Sequence, residues 1–307
     1  MIKGVISILC TPFDRSETVD FASLRHLVRW QLERGVSGVA ALGIFGEVAK
    51  LTDRERDEVV AQVVDTVAGR VPVVVGTGHL STRVACEQSR RAKALGADGV
   101  MVIPSRNCGP WPLLVEYYRR VADAAGCPVI VQDEPTTSGV ILGADTLCRL
   151  AEEVEPVVAV KLEEAPTVPK VTAILERRPQ LAVLGGNGGV FFLEELERGA
   201  VGTMTGFAFP EALVAVWQAF TAGERERARD LFERMVPMAR YENQAGIALS
   251  LRKEILRLRG AIVDGRVRSP APALDAVTLQ EVGTQVERMV RKLDEMVPAG
   301  GDTTRPT

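Results

Sequence analysis

Short, continuously apolar runs recur along the chain at nearly even intervals, with long amphipathic stretches between them. The runs fall at residues 5–9, 38–42, 71–75, 99–103, 128–131, 157–160, 181–184 and 202–205. A strand apolar on both faces must be covered on both, as in a parallel sheet wrapped by helices. The stretches at 21–33, 54–68, 83–95, 111–125 and 144–153 carry the apolar spacing of helices. Thr52 and Glu55 are spaced as a capping box at the start of the second. Gly35, Gly96, Gly126 and Gly199 stand where helices close, shortly before the next strand.

Eight strand–helix units in the first ~220 residues give about 28 residues per unit, the spacing of a (β/α)8 TIM barrel. An open, doubly wound sheet would place a glycine-rich phosphate turn after its first strand. Here that turn reads Cys10-Thr11-Pro12-Phe13, so the barrel is the better fit. Beyond Phe220 the pattern is purely helical, at 224–239, 244–259 and 274–296. The expected organisation is an α/β barrel over 1–221 and a C-terminal helical extension of the same domain over 222–297. A disordered Gly-, Pro- and Thr-rich tail over 298–307 follows.

Composition narrows the functional classes. With 37 Lys and Arg against 40 Asp and Glu, the net charge of -3 argues against nucleic acid or an anionic membrane surface as the main partner. No run approaches the ~18 apolar residues of a membrane span. The five cysteines are odd in number and never spaced as CxxC, which reads as reduced thiols in a cytoplasmic protein. Only two histidines occur, His26 and His79, with no HExxH, GxxxxGK or GxSxG motif. The expectation is therefore an enzyme without a metal or other cofactor.

In a barrel of this kind, functional groups sit at the carboxyl ends of the strands and in the loops that follow. Lys161 comes directly after the apolar run Val157-Val158-Ala159-Val160, which places its amine at the barrel mouth. Burial beside apolar walls favours the neutral amine, the form that attacks a carbonyl carbon and forms a Schiff base. A strand-end lysine paired with Glu163 or Glu164 is the purely structural alternative. Alternation along a strand puts Glu163 on the same side as Lys161. Asp133 and Glu134, at the neighbouring strand end, are competing carboxylates for acid/base work. His79 and Asn187 are each as readily loop residues as substrate contacts. Met204, Thr205 and Phe207 read as a bulky apolar lining opposite Lys161.

Several segments, in shared order, resemble the dihydrodipicolinate synthase / N-acetylneuraminate lyase family of class I aldolases over about residues 1–295. Thr11-Pro12-Phe13 is similar to that family's TPF, and Gly43-Ile44-Phe45-Gly46-Glu47 to its GTTGE loop. Leu51-Thr52 with Glu55-Arg56, Gly76-Thr77-Gly78, Gly96-Ala97-Asp98-Gly99 with Pro104, and Pro135 with Gly139 continue the match. The resemblance implies that Lys161 condenses with pyruvate or another 2-keto acid, and that the imine serves as an electron sink. It also implies that Gly43, Ile44, Phe45, Gly46 and Glu47 form the loop that binds the substrate carboxylate, largely through backbone amides. Glu47 has a purely structural alternative, tying down that loop. A homotetramer is implied, with a dimer left open by the altered loop after strand 4.

The departures are as informative. Ile44 and Phe45 stand where the family has two threonines, and Gln132 where it has the tyrosine that moves protons to and from the imine. Glutamine holds an oxygen but does not ionise. The relay tyrosine expected after strand 4 falls near Arg106, which can hold a distal anion. The arginine that grips a second carboxylate falls on Thr137. These losses argue against dihydrodipicolinate synthase activity. The expectation is a Schiff-base lyase, aldolase or dehydratase, with Lys161, Glu163 and Gln132 as its chemical centre. Ile44, Phe45, Arg106, Thr137, Gly186 and Met204 would line its substrate pocket. The alternative is an inactive relative that binds a small 2-keto acid as a regulatory protein.

Overall fold

A computed structural model describes residues 2–296. Eight parallel strands close into a barrel in chain order: β1 (Gly4–Ile8), β2 (Gly38–Ala41), β3 (Val73–Gly76), β4 (Gly99–Val102), β5 (Val129–Asp133), β6 (Val157–Leu162), β7 (Ala182–Gly185) and β8 (Gly202–Thr205). β8 pairs with β1, so no edge is left to template aggregation. Around the barrel run α1 (Phe21–Glu33), α2 (Asp53–Val67), α3 (Thr82–Ala94), α4 (Trp111–Ala125), α5 (Pro135–Ser138), α6 (Ala144–Glu153), α7 (Thr167–Arg177), α8 (Phe192–Glu197) and α9 (Pro210–Thr221). α10 (Arg225–Glu242), α11 (Ala248–Leu258) and α12 (Ala276–Met296) form the extension. The tail expected to be disordered, 298–307, lies outside the described residues. No described helix is long and apolar enough to cross a membrane.

The strand runs sort their side chains by parity. Inward residues Ile6, Ile8, Ala40, Val74, Met101, Ile130, Ala159, Leu184 and Met204 form one buried cluster that fills the barrel. Outward residues such as Val5, Val39, Val75, Val100, Val131, Val160 and Val183 join a second cluster with the helices. Buried residues of the extension, among them Met235, Leu251, Ile255, Val282 and Met289, belong to that same second cluster. Phe207 also belongs there, tilted against Phe209 at 5.7 Å between ring centroids, and so does not line the mouth opposite Lys161. The capping box forms as spaced: Thr52 accepts from the Glu55 amide and Glu55 from the Thr52 amide.

Two strands run further than their apolar stretches. β5 and β6 stay in register through Gln132 opposite Lys161 and Asp133 opposite Leu162. Polar side chains at those positions do not end the strands, because the barrel mouth and the cleft under α7 receive them. Lys161 is therefore a strand residue with a fixed inward direction, one step beyond Ala159.

The loop from Gly43 to Glu47 is held from below and from behind. The Thr11 hydroxyl donates to the Gly46 carbonyl at 2.7 Å. Glu47, buried and in the left-handed region at φ 57°, accepts from Lys253 Nζ of α11 at 2.6 Å and from Lys50 Nζ at 3.1 Å. It also accepts from the Arg268 amide at 3.0 Å. This buried carboxylate couples the mouth loop to the extension. Lys253→Met is expected to destabilise the fold by about 3 kcal/mol, because it takes from the buried Glu47 carboxylate its one fully buried cation and leaves Oε1 unanswered. A lowered urea midpoint, partly restored by adding Glu47→Gln, is the result that checks it.

Candidate active site

The inward row of β6 brings Lys161 to the barrel mouth, where its side chain is 7% exposed. Its Nζ lies 2.8 Å from Glu163 Oε2, and Gln132 Nε2 of β5 donates to that same oxygen at 3.1 Å. The three residues form one connected group: a cation, a carboxylate between donors, and an amide that fixes the carboxylate's direction. The Glu163 amide donates to the Asp133 carbonyl at 3.0 Å, which carries strand geometry one residue past β6 and keeps the alternation.

Gly186 makes the space that Glu163 occupies, since a Cβ at 186 would overlap the Glu163 side chain. Asn187 belongs to this support: its Nδ2 donates to the Glu163 carbonyl at 3.1 Å. It holds a left-handed turn at φ 49°, which asparagine tolerates better than most residues. Asn243, capping α10, donates in turn to the Asn187 carbonyl at 3.1 Å. A chain of amides thus runs from the extension to the backbone of Glu163, beside Lys161.

The competing carboxylates are engaged elsewhere. Asp133 points outward and, with Glu164, holds Lys170 of α7 at 2.6 and 2.7 Å. Burial pushes the Asp133 carboxyl up to about 6, opposed by Lys170. Glu134 caps the single turn α5, accepting from the Thr136 and Thr137 amides at 3.1 and 2.8 Å. Of these acidic candidates, Glu163 is the one in contact with Lys161.

The substrate-contact candidates separate. Met204 is fully buried in the barrel interior, with Phe45 packed against the same cluster. Ile44 is 37% exposed at the rim. The Glu47 carboxylate faces the extension, so its part in the loop is to hold the backbone. Arg106 is exposed on the loop after β4, and Thr137 is exposed in α5. His79 is fixed in its own turn, its Nδ1 accepting from the Ser81 amide at 3.0 Å. Among the described residues, no group of three or more His, Cys, Asp or Glu could hold a metal ion. A cavity of about 720 Å3 opens at the other end of the barrel beside Ile2, Pro72 and Val158, away from Lys161.

Four charged residues near the mouth were not read from the sequence. Glu195 of α8 sits behind Gly185, its Oε1 accepting from the Thr167 hydroxyl at 2.7 Å. Arg252, Lys253 and Glu242 lie buried in the extension. Faint signals existed for three of them: the Gly185-Gly186 pair at a strand end for Glu195, and the apolar face that Arg252 and Lys253 share with Ile255 and Leu256 on α11.

An eight-stranded barrel with a lysine, a carboxylate and an amide gathered at the carboxyl end of its strands has the build of a barrel lyase. The sequence matches the dihydrodipicolinate synthetase family over residues 1–289. It is 34% identical over 303 residues to L-2-keto-3-deoxyarabonate dehydratase of Azospirillum brasilense, covering 96% of each chain. It is 36% identical over 284 residues to an uncharacterized DapA-like lyase of Halobacterium salinarum, covering 89% of this chain and 90% of that one. The structure is similar to the crystal structure of dihydrodipicolinate synthase from Rhodopseudomonas palustris, with a TM-score of 0.88 and 32% identity, over 94% and 97% of the two chains. This chain belongs to the dihydrodipicolinate synthetase family and is a lyase of that family.

Burial pushes the Glu195 carboxyl up to about 8, opposed by the Thr167 hydroxyl. Between its ordinary 4.5 and that value, the unfolded chain releases a proton that the folded chain keeps. Stability therefore falls as pH rises through this window. Glu195→Gln, which mimics the neutral form, is expected to show a smaller fall in Tm than the unsubstituted protein between about pH 5 and about pH 8. Equal falls in the two proteins would contradict a neutral buried carboxyl.

Proposed function

We propose that the protein is a Schiff-base-forming lyase that removes water from a 2-keto-3-deoxy sugar acid, with Glu163 moving the protons. The carrying observation is the 2.8 Å contact between Lys161 Nζ and Glu163 Oε2, with Gln132 donating to the same oxygen at 3.1 Å. The similarity to an L-2-keto-3-deoxyarabonate dehydratase, along nearly the whole of both chains, supports this reaction type over C–C bond cleavage.

Lys161 passes its ammonium proton to Glu163 and, as free amine, adds to the C2 ketone; the adduct takes that proton back as it loses water, giving a protonated imine. The imine acidifies C3. Glu163, within reach of the nitrogen, takes a C3 proton and leaves an enamine. The enamine electrons expel the C4 hydroxyl, which leaves as water with the proton returned by Glu163. Hydrolysis of the conjugated imine then frees the product and Lys161. The sequence is redox-neutral, and one carboxylate serves as base and then as acid. Gln132 keeps that carboxylate aimed while adding no titrating group of its own. A tyrosine is not needed where a carboxylate already stands beside the amine.

Borohydride reduction in the presence of pyruvate, read by intact mass, should give a covalent adduct on the protein and none on Lys161→Ala. Glu163→Gln should retain the adduct while turnover of a 2-keto-3-deoxy acid falls by about 100-fold or more. Gly186→Ala should behave like Glu163→Gln, because its methyl group takes the carboxylate's place. Undiminished turnover in Glu163→Gln would refute the assignment of Glu163. Absence of any adduct with a panel of 2-keto acids would favour a binding protein over a lyase.

A further inference from the structure

Glu163 is held differently from Lys161, although both come from the end of β6. Lys161 lies inside the ladder, opposite Gln132 of β5 on one side and Leu184 of β7 on the other. The pairing of β6 with β7 stops one residue short of Glu163, at Leu162 opposite Gly185. Toward β5 the Glu163 amide still finds the Asp133 carbonyl at 3.0 Å. Toward β7 the strand has ended, and the Asn187 side chain donates to the Glu163 carbonyl instead, at 3.1 Å. A carboxamide on a turn thus supplies the bond that a ladder amide supplies to residues deeper in the barrel.

The turn that carries Asn187 has little shape of its own. Asn187, Gly188 and Gly189 are left-handed in succession, at φ 49°, 68° and 76°. Glycines lose the most backbone freedom on ordering, so the position of such a turn is set by what it touches. Two close approaches bound it. A Cβ at Gly186 would stand 2.4 Å from Glu163 Cγ, and one at Gly188 would stand 3.2 Å from Asn243 Cγ. On the Asn243 side the approach is fastened, with Nδ2 donating to the Asn187 carbonyl at 3.1 Å. The end of α10 is itself a fixed point. Glu242, next to Asn243 and 1% exposed, accepts from Arg252 Nε at 2.5 Å and from the Ala208 amide at 2.9 Å. Support therefore runs from a buried ion pair in the extension to Asn243, then to Asn187, then to the backbone of Glu163.

We propose that Asn243 is a positioning residue for Glu163, acting through Asn187 at the ladder position that β7 does not reach. The inference rests on the acid/base reading of Glu163 and names what holds that carboxylate in place from outside the barrel. Lys161 is fixed by strands on both sides and does not depend on this tie. Imine formation and proton transfer should therefore respond differently when the tie is cut. A loosened carboxylate costs rate, because a reacting group must be held within about 0.5 Å of its working place.

The test uses pyruvate in heavy water, where the two steps are read separately. Borohydride trapping, followed by intact mass, reports the imine. Loss of the pyruvate methyl signal in proton NMR reports the transfer. Glu163 takes a methyl proton from the imine, exchanges it with solvent, and returns a deuteron to the enamine. Asn243→Asp keeps the shape and removes the N–H donor, and Asn187→Gly keeps the left-handed turn and removes the other. Each is expected to slow exchange about 10-fold or more while half-saturation of trapping stays unchanged. Added to Glu163→Gln, Asn243→Asp should cause no further loss, because no carboxylate remains to be placed. Unchanged exchange in either single variant overturns the proposal. So does a parallel fall in trapping and exchange, or an additive loss in the Glu163→Gln background, since both mark a general loss of structure. Undiminished exchange in Glu163→Gln is a separate failure, that of the acid/base reading. Absence of an adduct in the unsubstituted protein is the failure of the imine reading. The positioning role falls with either one.

Discussion

A carboxylate buried next to its cation governs the upper half of this barrel. Glu47 is held by Lys253 at 2.6 Å with both side chains out of solvent, and the backbone around it adopts a left-handed turn. Neither charge is tolerable alone in that environment, so the mouth loop and α11 must arrive together. The same logic repeats around the rim. Asp133 and Glu164 hold Lys170, Glu242 holds Arg252, and Glu163 holds Lys161. Hydrophobic burial closes the barrel, and these pairs set which loop meets which helix. Tolerances of about half an ångström are what a reacting group demands of its supports.

Three of those pairs have a structural partner on a surrounding helix, and one does not. Lys161 and Glu163 come from the same strand end, two residues apart, and face the open mouth. Their contact fastens no helix to the barrel. Passing a proton along it from Lys161 to Glu163 would free the amine, as the addition of Lys161 to a carbonyl requires in the proposed mechanism. The glycine pair at the end of β7 serves both sides of the sheet. Gly186 clears space for Glu163 inside, and Gly185 clears space for Glu195 behind. A bulkier residue at either position would displace a carboxylate rather than merely crowd the core.

The sequence made the fold legible because burial on both faces forces β-branched continuity on the strands and 3.6-residue spacing on the helices. It marked strand ends less well. Gln132 and Asp133 read as loop residues because they are polar, yet they extend β5 in register with Lys161 and Leu162. Lys161 was marked by its place at the end of an apolar run and by the family resemblance, and Glu163 was set beside it by strand alternation. Asp133 and Glu134 were equally plausible by residue type, and only the outward turn of one and the capping geometry of the other separate them from the amine. Arg252 and Lys253 were hidden for a different reason. Adjacent basic residues on a helix read as solvent-facing, and their burial depends on carboxylates that are 10 and 206 residues away in the chain.

That long-range dependence bears on how the site departs from its family resemblance. Losing two threonine hydroxyls at 44 and 45 looks, position by position, like the decay of a binding loop. In three dimensions Phe45 lies on the Arg252 guanidinium, and Gly206 leaves the room that guanidinium fills. A threonine at 45 would offer no aromatic face to the cation, and a side chain at 206 would exclude it. The three residues are consistent only as a set, drawn from a mouth loop, a strand end and the extension. Gln132 and Glu163 form a second such set, since an amide in the tyrosine's place has a use only where a carboxylate stands within reach of its Nε2. Each departure is thus matched by a partner drawn from elsewhere in the fold, Phe45 by Arg252 and Gln132 by Glu163.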